Sequence, residues 1–189
     1  MKLHKDAFLK KYNPNRTLDK ALASGIAAAV QHNSLYRKEL LPERKETVVC
    51  VWRAYLKELI KRYKHPQSVE SYKNDIQRLK TNMNKQFPNA FLSEPHKRYK
   101  TAPGFRISHA QKSISVFLKH LWCMGIVETP PQCPVDSIIL KAAGKHYPDT
   151  KWGCVNSIEE HQRKIAFLET AKGDSKDSLA EWELKKFKA

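Results

Sequence analysis

Apolar residues in this chain recur every three or four positions over most of its length, a spacing typical of amphipathic α-helices. Val48, Trp52, Leu56 and Leu59 follow this spacing in one segment. Prolines, asparagines and glycines separate the periodic segments. Only 6 of the 189 residues are glycine, which disfavours a turn-rich all-β fold. We therefore expect an all-α protein, a compact bundle of six to eight helices.

Capping residues predict where the helices begin, because Ser, Thr and first-turn Pro are favoured at helix N-termini. Ser108, Ser157 and Ser178 are each followed three residues later by Gln or Glu, which is the capping-box pattern. Gly25 lies in an alanine-rich helix and predicts a close approach to another helix. The predicted helix starts are Thr17, Pro42, Ser68, Ser108, Ser157 and Ser178, with a further short helix between Val135 and Ala143.

The charge of the chain is strongly positive and unevenly distributed. The formal net charge is +16, and residues 1–127 contain 25 basic and 9 acidic residues, whereas residues 128–189 contain 10 of each. Solubility alone does not require such segregation, so we expect a polyanionic partner, with nucleic acid favoured over an anionic membrane. We divide the chain into a basic helical section, 1–127, that binds nucleic acid, and a neutral helical section, 128–189, that packs on it or binds a partner.

Two basic segments supply the candidate binding residues. The loop at 95–106 combines cations, which neutralise phosphates, with Tyr99 and Phe105, whose rings can stack on bases of a single strand. A basic stripe also follows the helix from Arg53 to Lys64. The candidate nucleic-acid-binding residues are Lys97, Arg98, Tyr99, Lys100, Arg106, Lys112, Lys119, Arg53, Lys57 and Lys61, and Lys112 and Lys119 are expected on the polar side of their helix.

The order of helices and turns between residues 68 and 136 carries a family resemblance. A tyrosine-containing helix begins Ser68-Val69-Glu70-Ser71-Tyr72, and after a loop comes Ser113-Ile114-Ser115-Val116-Phe117-Leu118-Lys119-His120-Leu121-Trp122. Gly125-Ile126 and a proline-rich turn from Pro130 to Asp136 complete the pattern. This segment resembles the core-binding, SAM-like helical domain of tyrosine recombinases, and the resemblance implies a domain that clamps duplex DNA through its phosphates.

The same resemblance does not extend to the catalytic domain of that family. About 50 residues follow Asp136, and no histidine has an arginine three positions later. The His-x-x-Arg motif of the recombinase active site is therefore missing, and the resemblance implies DNA binding without strand cleavage.

Two other function classes stay open. A small metal-dependent nuclease, or another nucleic-acid enzyme, would draw on carboxylates that hold Mg²⁺; the candidates are Asp136, Asp149, Glu159, Glu160 and Glu183. Glu183-Leu184-Lys185 matches the acidic-x-Lys tripeptide of such enzymes, but it falls in a predicted helix. An adaptor that binds an acidic protein partner is the third class. Because no catalytic motif stands out, we expect a binding protein without a cofactor.

The cysteines and the N-terminus bear on the compartment. None of the cysteines Cys50, Cys123, Cys133 and Cys154 forms a C-x-x-C pair, so we expect free thiols in a reducing compartment and no metal. A zinc site of three cysteines with His120 or His146 is the alternative.

The first residues lack the apolar region of a secretory signal, and no run of ~18 apolar residues occurs, so we expect a cytoplasmic protein that does not bind a membrane.

Overall fold

The computed structural model describes residues 1–31, 33–94, 102–144 and 151–186. In these ranges the chain forms eight α-helices and a short 3-10 helix, and its β-structure is one isolated bridge between Tyr36 and Phe91. The predicted all-α bundle is therefore confirmed. The helices are α1 (Lys2–Tyr12), α2 (Leu18–Val30), α3 (Pro42–Tyr63), α4 (Val69–Gln86), α5 (Ile107–Cys123), α6 (Ser137–Ala143), α7 (Ile158–Lys172) and α8 (Leu179–Lys186), with the 3-10 turn at Trp152–Cys154.

Helix α5 is the centre of the bundle, and every one of its residues except Val116 is buried. Its most extensive contact is with α2, and α1, α4 and α7 also pack on it. Gly25 allows the contact with α2, because a Cβ atom at this position would lie 2.7 Å from the carbonyl oxygen of Ser113. The close approach predicted at Gly25 is confirmed.

Two hydrophobic cores stabilise the described part of the chain. The larger core lies around α5 and is built mainly from α1 to α5. The smaller core is built from α6, α7, α8 and the segment before α6. Helix α8 contributes to both, since Ala180 and Leu184 pack in the larger core while Leu179 and Trp182 pack in the smaller one. The C-terminal helices are thus fastened to the basic section through α8.

Most predicted helix starts agree with the structure. The side chains of Thr17, Ser68 and Ser157 each accept a hydrogen bond from a backbone N–H in the first turn of their helix. Ser178 forms the predicted capping box, since its hydroxyl accepts from the Glu181 N–H and the Glu181 carboxylate accepts from the Ser178 N–H.

The predicted start of α5 at Ser108 is wrong. The helix begins at Ile107, and the Nδ1 atom of His109 accepts a hydrogen bond from the Arg106 N–H at 3.1 Å. The Ser108 hydroxyl instead donates to the carbonyl oxygen of Gly153 at 2.9 Å. The Ser108 hydroxyl is therefore used in a contact with a distant segment, and it does not cap α5 as the local sequence pattern predicts.

Candidate functional site

The basic stripe of α3 is present as predicted, and we call Arg53, Lys57, Lys61 and Lys64 the α3 basic face. These residues lie three or four positions apart, so they are neighbours on one side of the helix and extend over about 16 Å. The three lysines are exposed and Arg53 is half-buried. None of the four forms an ion pair with a carboxylate in the described part of the chain. The face therefore presents cations whose charge is not balanced locally.

The loop predicted at 95–106 is described only in part. Lys97, Arg98, Tyr99 and Lys100 lie outside the described residues, so their predicted role stays a prediction. Phe105 is completely buried and packs edge-on against Trp52, with ring centroids 4.7 Å apart. Its predicted stacking on a nucleic-acid base is therefore wrong.

Arg106 is also buried, with 1% of its surface exposed, so it is not at the surface where a phosphate could contact it. Its guanidinium donates hydrogen bonds to the carbonyl oxygens of Ala102, Ser34 and Gly153 at 3.0, 3.0 and 3.2 Å, and to the side-chain oxygen of Asn33. These acceptors come from three separate segments of the chain. The predicted phosphate contact of Arg106 is therefore wrong. Its guanidinium N–H groups are used to hold those three segments together.

Lys112 and Lys119 are expected on the exposed side of α5, and this expectation is wrong. The Nζ atom of Lys112 lies 2.6 Å from Oδ2 of Asp136, and that of Lys119 lies 2.9 and 2.7 Å from the two carboxylate oxygens of Glu183. Both lysines are buried, at 6% and 4% exposed, and a charge in such an interior needs a partner. Both lysines are engaged with carboxylates of the C-terminal section and are not free to contact a backbone phosphate.

These two ion pairs meet at a cavity between α1, α2, α5 and the start of α6. The cavity has a volume of about 370 Å³. Its walls are mostly apolar or aromatic, and the polar part comes from the ion pairs Lys112–Asp136 and Lys119–Glu183 together with Ser24 and Gln31. The lining also includes Phe8, Tyr12, Ala28, Val116, His120 and Ile138.

The charged groups of the cavity have shifted pKa values. Burial raises the pKa of Asp136, but the Lys112 ammonium and two backbone N–H donors outweigh burial and hold that pKa below its usual range. Burial raises the pKa of Glu183 in spite of Lys119. Burial, with Lys119 and Lys20, lowers the pKa of His120 to about 4, so this imidazole is neutral at pH 7. Its Nδ1 atom has no hydrogen-bond partner in the described ranges.

Three of the five carboxylates proposed for a metal-dependent nuclease, Asp136, Glu160 and Glu183, have other partners in the fold. Asp136 caps α6 by accepting hydrogen bonds from the N–H groups of Ile138 and Ile139, besides pairing with Lys112. Glu160 caps α7, Glu159 is exposed, and Asp149 lies outside the described residues. Among the residues the structure describes, no group of three His, Cys, Asp or Glu side chains is arranged to hold a metal ion.

The four cysteines carry free thiols. Cys50 is exposed, Cys123 and Cys133 are buried, and Cys154 is half-buried. Burial raises the pKa of the Cys123 thiol to about 12, which makes this group a poor metal ligand and nucleophile at pH 7. His146, the other histidine considered for a zinc site, lies outside the described residues.

Sequence reasoning missed a cluster between α3 and α4, which we call the arginine clamp: Arg62, Asp75 and Arg78. Asp75 is completely buried, and its two carboxylate oxygens accept hydrogen bonds from the guanidinium groups of Arg62 and Arg78. The Tyr63 hydroxyl donates to the same carboxylate at 2.8 Å. The only sequence signal was an acidic residue within the apolar stripe of α4, at a position where burial is expected.

No protein-family model, curated protein or solved structure matches this chain. The described helices include none that is both long enough and apolar enough to cross a membrane.

Proposed function

We propose that this protein binds nucleic acid in the cytoplasm, with DNA favoured over RNA, and that the α3 basic face contacts the phosphates. The observation that carries this proposal is the row of three exposed lysines and one half-buried arginine along α3, none of which has an ion-pair partner among the described residues. The net charge of +16 supports it. DNA is favoured because residues 68–136 resemble a domain that clamps duplex DNA.

The physical basis of the proposed binding is counterion release. Each phosphate that a lysine neutralises releases condensed cations, so the logarithm of the binding constant falls with the logarithm of the salt concentration by about 0.9 for each contact. Contacts of this kind give affinity without sequence specificity. The salt dependence of binding therefore counts the phosphates that the protein contacts.

The test is a titration of labelled duplex DNA at several salt concentrations with the wild type and the double variant Lys57→Gln, Lys61→Gln. We expect the variant to bind more weakly by roughly 1–3 kcal/mol and its salt slope to be flatter by about two units. The matched control is Lys141→Gln, Lys176→Gln, which removes two exposed lysines from the neutral section.

The outcome separates the proposal from the adaptor alternative. An equal loss in both double variants, or an unchanged slope in the α3 variant, would contradict the assigned contact surface. If the wild type does not bind DNA at low salt but forms a stoichiometric complex with an acidic protein, the adaptor is the correct function.

In the loop, Arg98→Ala with Lys100→Ala is predicted to flatten the salt slope of DNA binding by about two units as well.

The cavity beside α5 favours a second candidate function, an enzyme that modifies nucleic acid through a lysine amine. Lys112 is buried at the edge of the cavity, paired with one carboxylate, and lies 5.7 Å from the centre of the Trp152 ring. Lysines buried in apolar pockets form imines with carbonyl groups of substrates. In DNA, the accessible aldehyde is C1′ of a deoxyribose that has lost its base, and we propose this sugar as the substrate class.

The reaction of this candidate is imine formation at Nζ of Lys112. The Lys112 ammonium gives one proton to solvent, the Nζ lone pair adds to the aldehyde carbon, and a second proton moves from Nζ to the carbonyl oxygen. The hydroxyl group of this adduct then leaves as water with the last proton from Nζ, and a carbon–nitrogen double bond forms. The balance is one amine and one aldehyde giving one imine and one water.

Borohydride tests this candidate, because it reduces an imine to a stable amine and so links the protein to the DNA. We expect a covalent adduct between the wild type and DNA that contains one base-free sugar, and no adduct with Lys112→Gln. Lys141→Gln is the control for an exposed lysine outside the α3 basic face, and the melting temperature checks that Lys112→Gln is folded. Absence of an adduct with the wild type, or an equal yield with folded Lys112→Gln, would rule this candidate out.

A further inference from the structure

The arginine clamp holds two guanidinium groups on one buried carboxylate at the surface of the bundle. Asp75 is completely buried, whereas the side chains of Arg62 and Arg78 are 37% and 57% exposed. Each guanidinium has five N–H donors, and each uses only one Nη atom in its contact with Asp75. Most of the donors are therefore not used by the carboxylate, although Arg78 also interacts with the Tyr55 hydroxyl.

Both arginines line the same shallow cleft at the start of α4. The cleft has a volume of about 570 Å³, and its other lining residues are Ser68, Glu70, Ser71 and Asn74. The carboxylate of Glu70 is paired with Lys73 at 2.7 Å, so it does not cancel the charge of the arginines. Two guanidinium groups share one carboxylate, so the formal charges of the clamp sum to +1.

We propose that this cleft binds one phosphodiester group of a nucleic-acid backbone, a contact that rests on the proposed function and adds a second site to it. Two guanidinium groups offer the planar, paired donors that match phosphate oxygens. Because Asp75 fixes both groups before binding, less side-chain entropy is lost when the phosphate enters.

The clamp is separate from the α3 basic face. Arg62 directly follows Lys61, and consecutive helical residues lie about 100° apart around the axis. The clamp and the α3 basic face therefore lie on different sides of α3 near its C-terminal end. A backbone that contacts both has to pass around that end of the helix.

The first measurement is the salt dependence of duplex DNA binding for Arg78→Gln and Arg78→Lys. We expect Arg78→Gln to flatten the slope by about one unit. Arg78→Lys should keep the slope but weaken binding about threefold to tenfold, because an ammonium lacks the paired donors. Arg163→Gln, an exposed arginine of α7, is the control for loss of one charge. A salt slope for Arg78→Gln equal to that of the wild type would overturn the inference.

The second measurement separates this inference from the proposed function. Inorganic phosphate is titrated into the wild type while the Nε–H signals of the arginines are followed by NMR. Saturable shifts of the Arg62 and Arg78 signals, with the Arg163 signal unchanged, support the cleft even if DNA does not bind. If no saturable shift occurs at Arg62 and Arg78, the cleft is not a phosphate site, and DNA binding through the α3 basic face is unaffected by that result.

Discussion

Arg106 is a buried cation whose hydrogen-bond acceptors are carbonyl and amide oxygens. Burial lowers its pKa to about 10, so the side chain is still charged at pH 7. We predict that Arg106→Lys lowers the free energy of unfolding by about 2–4 kcal/mol, because one ammonium cannot reach acceptors that lie in three segments. Urea unfolding measures the change, with Arg53→Lys at the half-buried edge of α3 as the control. A loss below about 1 kcal/mol would show that the guanidinium contacts do not stabilise the fold.

At the residue scale, the sequence shows which side chains of a helix are charged and share a side. It does not show which of them are buried. Lys112 and Lys119 are correctly identified as two cations on one side of α5, since seven residues are close to two helical turns. Their partners, Asp136 and Glu183, lie 24 and 64 positions away in the chain. Periodicity contains no information on which distant helix covers a polar side, so the ion pairs could not be predicted.

At the scale of helices, the contact between α2 and α5 depends on Gly25. An alanine usually stabilises a helix by about 1 kcal/mol relative to glycine. Here the added Cβ would lie 2.7 Å from a backbone oxygen of α5 and 3.2 Å from Cβ of Phe117. A backbone oxygen cannot move away easily. We therefore expect the destabilisation from the steric clash to exceed the stabilisation from the higher helix propensity of alanine.

We therefore predict that Gly25→Ala lowers the free energy of unfolding by about 1–3 kcal/mol. Ala27→Gly, at an exposed position of α2, is the control and should lower it by about 1 kcal/mol through propensity alone. Urea unfolding at pH 7 compares the two variants. A stabilised Gly25→Ala would mean that α2 shifts away from α5 at little cost.

Helix ends were largely predictable because they are set within a few residues. Thr17, Ser68 and Ser157 cap their helices through the next three residues, and the sequence alone contains that information. The start of α5 was not predictable from such a pattern, because Gly153, 45 positions away, accepts the Ser108 hydroxyl. Local rules hold where no distant acceptor competes for the capping group.

At the scale of the whole molecule, folding redistributes the charges that the sequence segregates. The six cations between Pro95 and Val127 suggest one basic surface, but Arg106, Lys112 and Lys119 are inside the bundle. Two carboxylates from the neutral section balance the buried lysines. The C-terminal section thus neutralises part of the basic section, and the described surface cations are concentrated on other elements, including α3.

Three buried histidines make the stability of the whole fold sensitive to acid. His109, His120 and His161 are at most 1% exposed. Burial, together with nearby Arg106, lowers the pKa of His109 well below 6.5. Burial, together with neighbouring lysines, lowers the pKa of both His120 and His161 to about 4. In the unfolded chain each should titrate near 6.5.

The sign of the pH dependence follows from proton uptake. Between pH 6.5 and about 4 the unfolded chain binds up to three more protons at these histidines than the native protein does, so the free energy of unfolding falls as the pH falls. Each proton corresponds to about 1.4 kcal/mol per pH unit. The pKa of Glu183 is raised in the native state, so its carboxylate takes up a proton at a higher pH in the native protein than in the unfolded chain. This proton uptake opposes the loss of stability by at most one proton.

We predict that urea unfolding at pH 7, 6 and 5 shows a loss of about 3–4 kcal/mol per pH unit at the acidic end. His161→Gln should flatten this dependence by about 1.4 kcal/mol per pH unit, because glutamine does not titrate and can still hydrogen-bond to Gln132. His4→Gln, at an exposed position, should leave it unchanged. If His161→Gln keeps the full wild-type dependence, the imidazole of His161 is charged in the native state, and the fold does not hold it neutral.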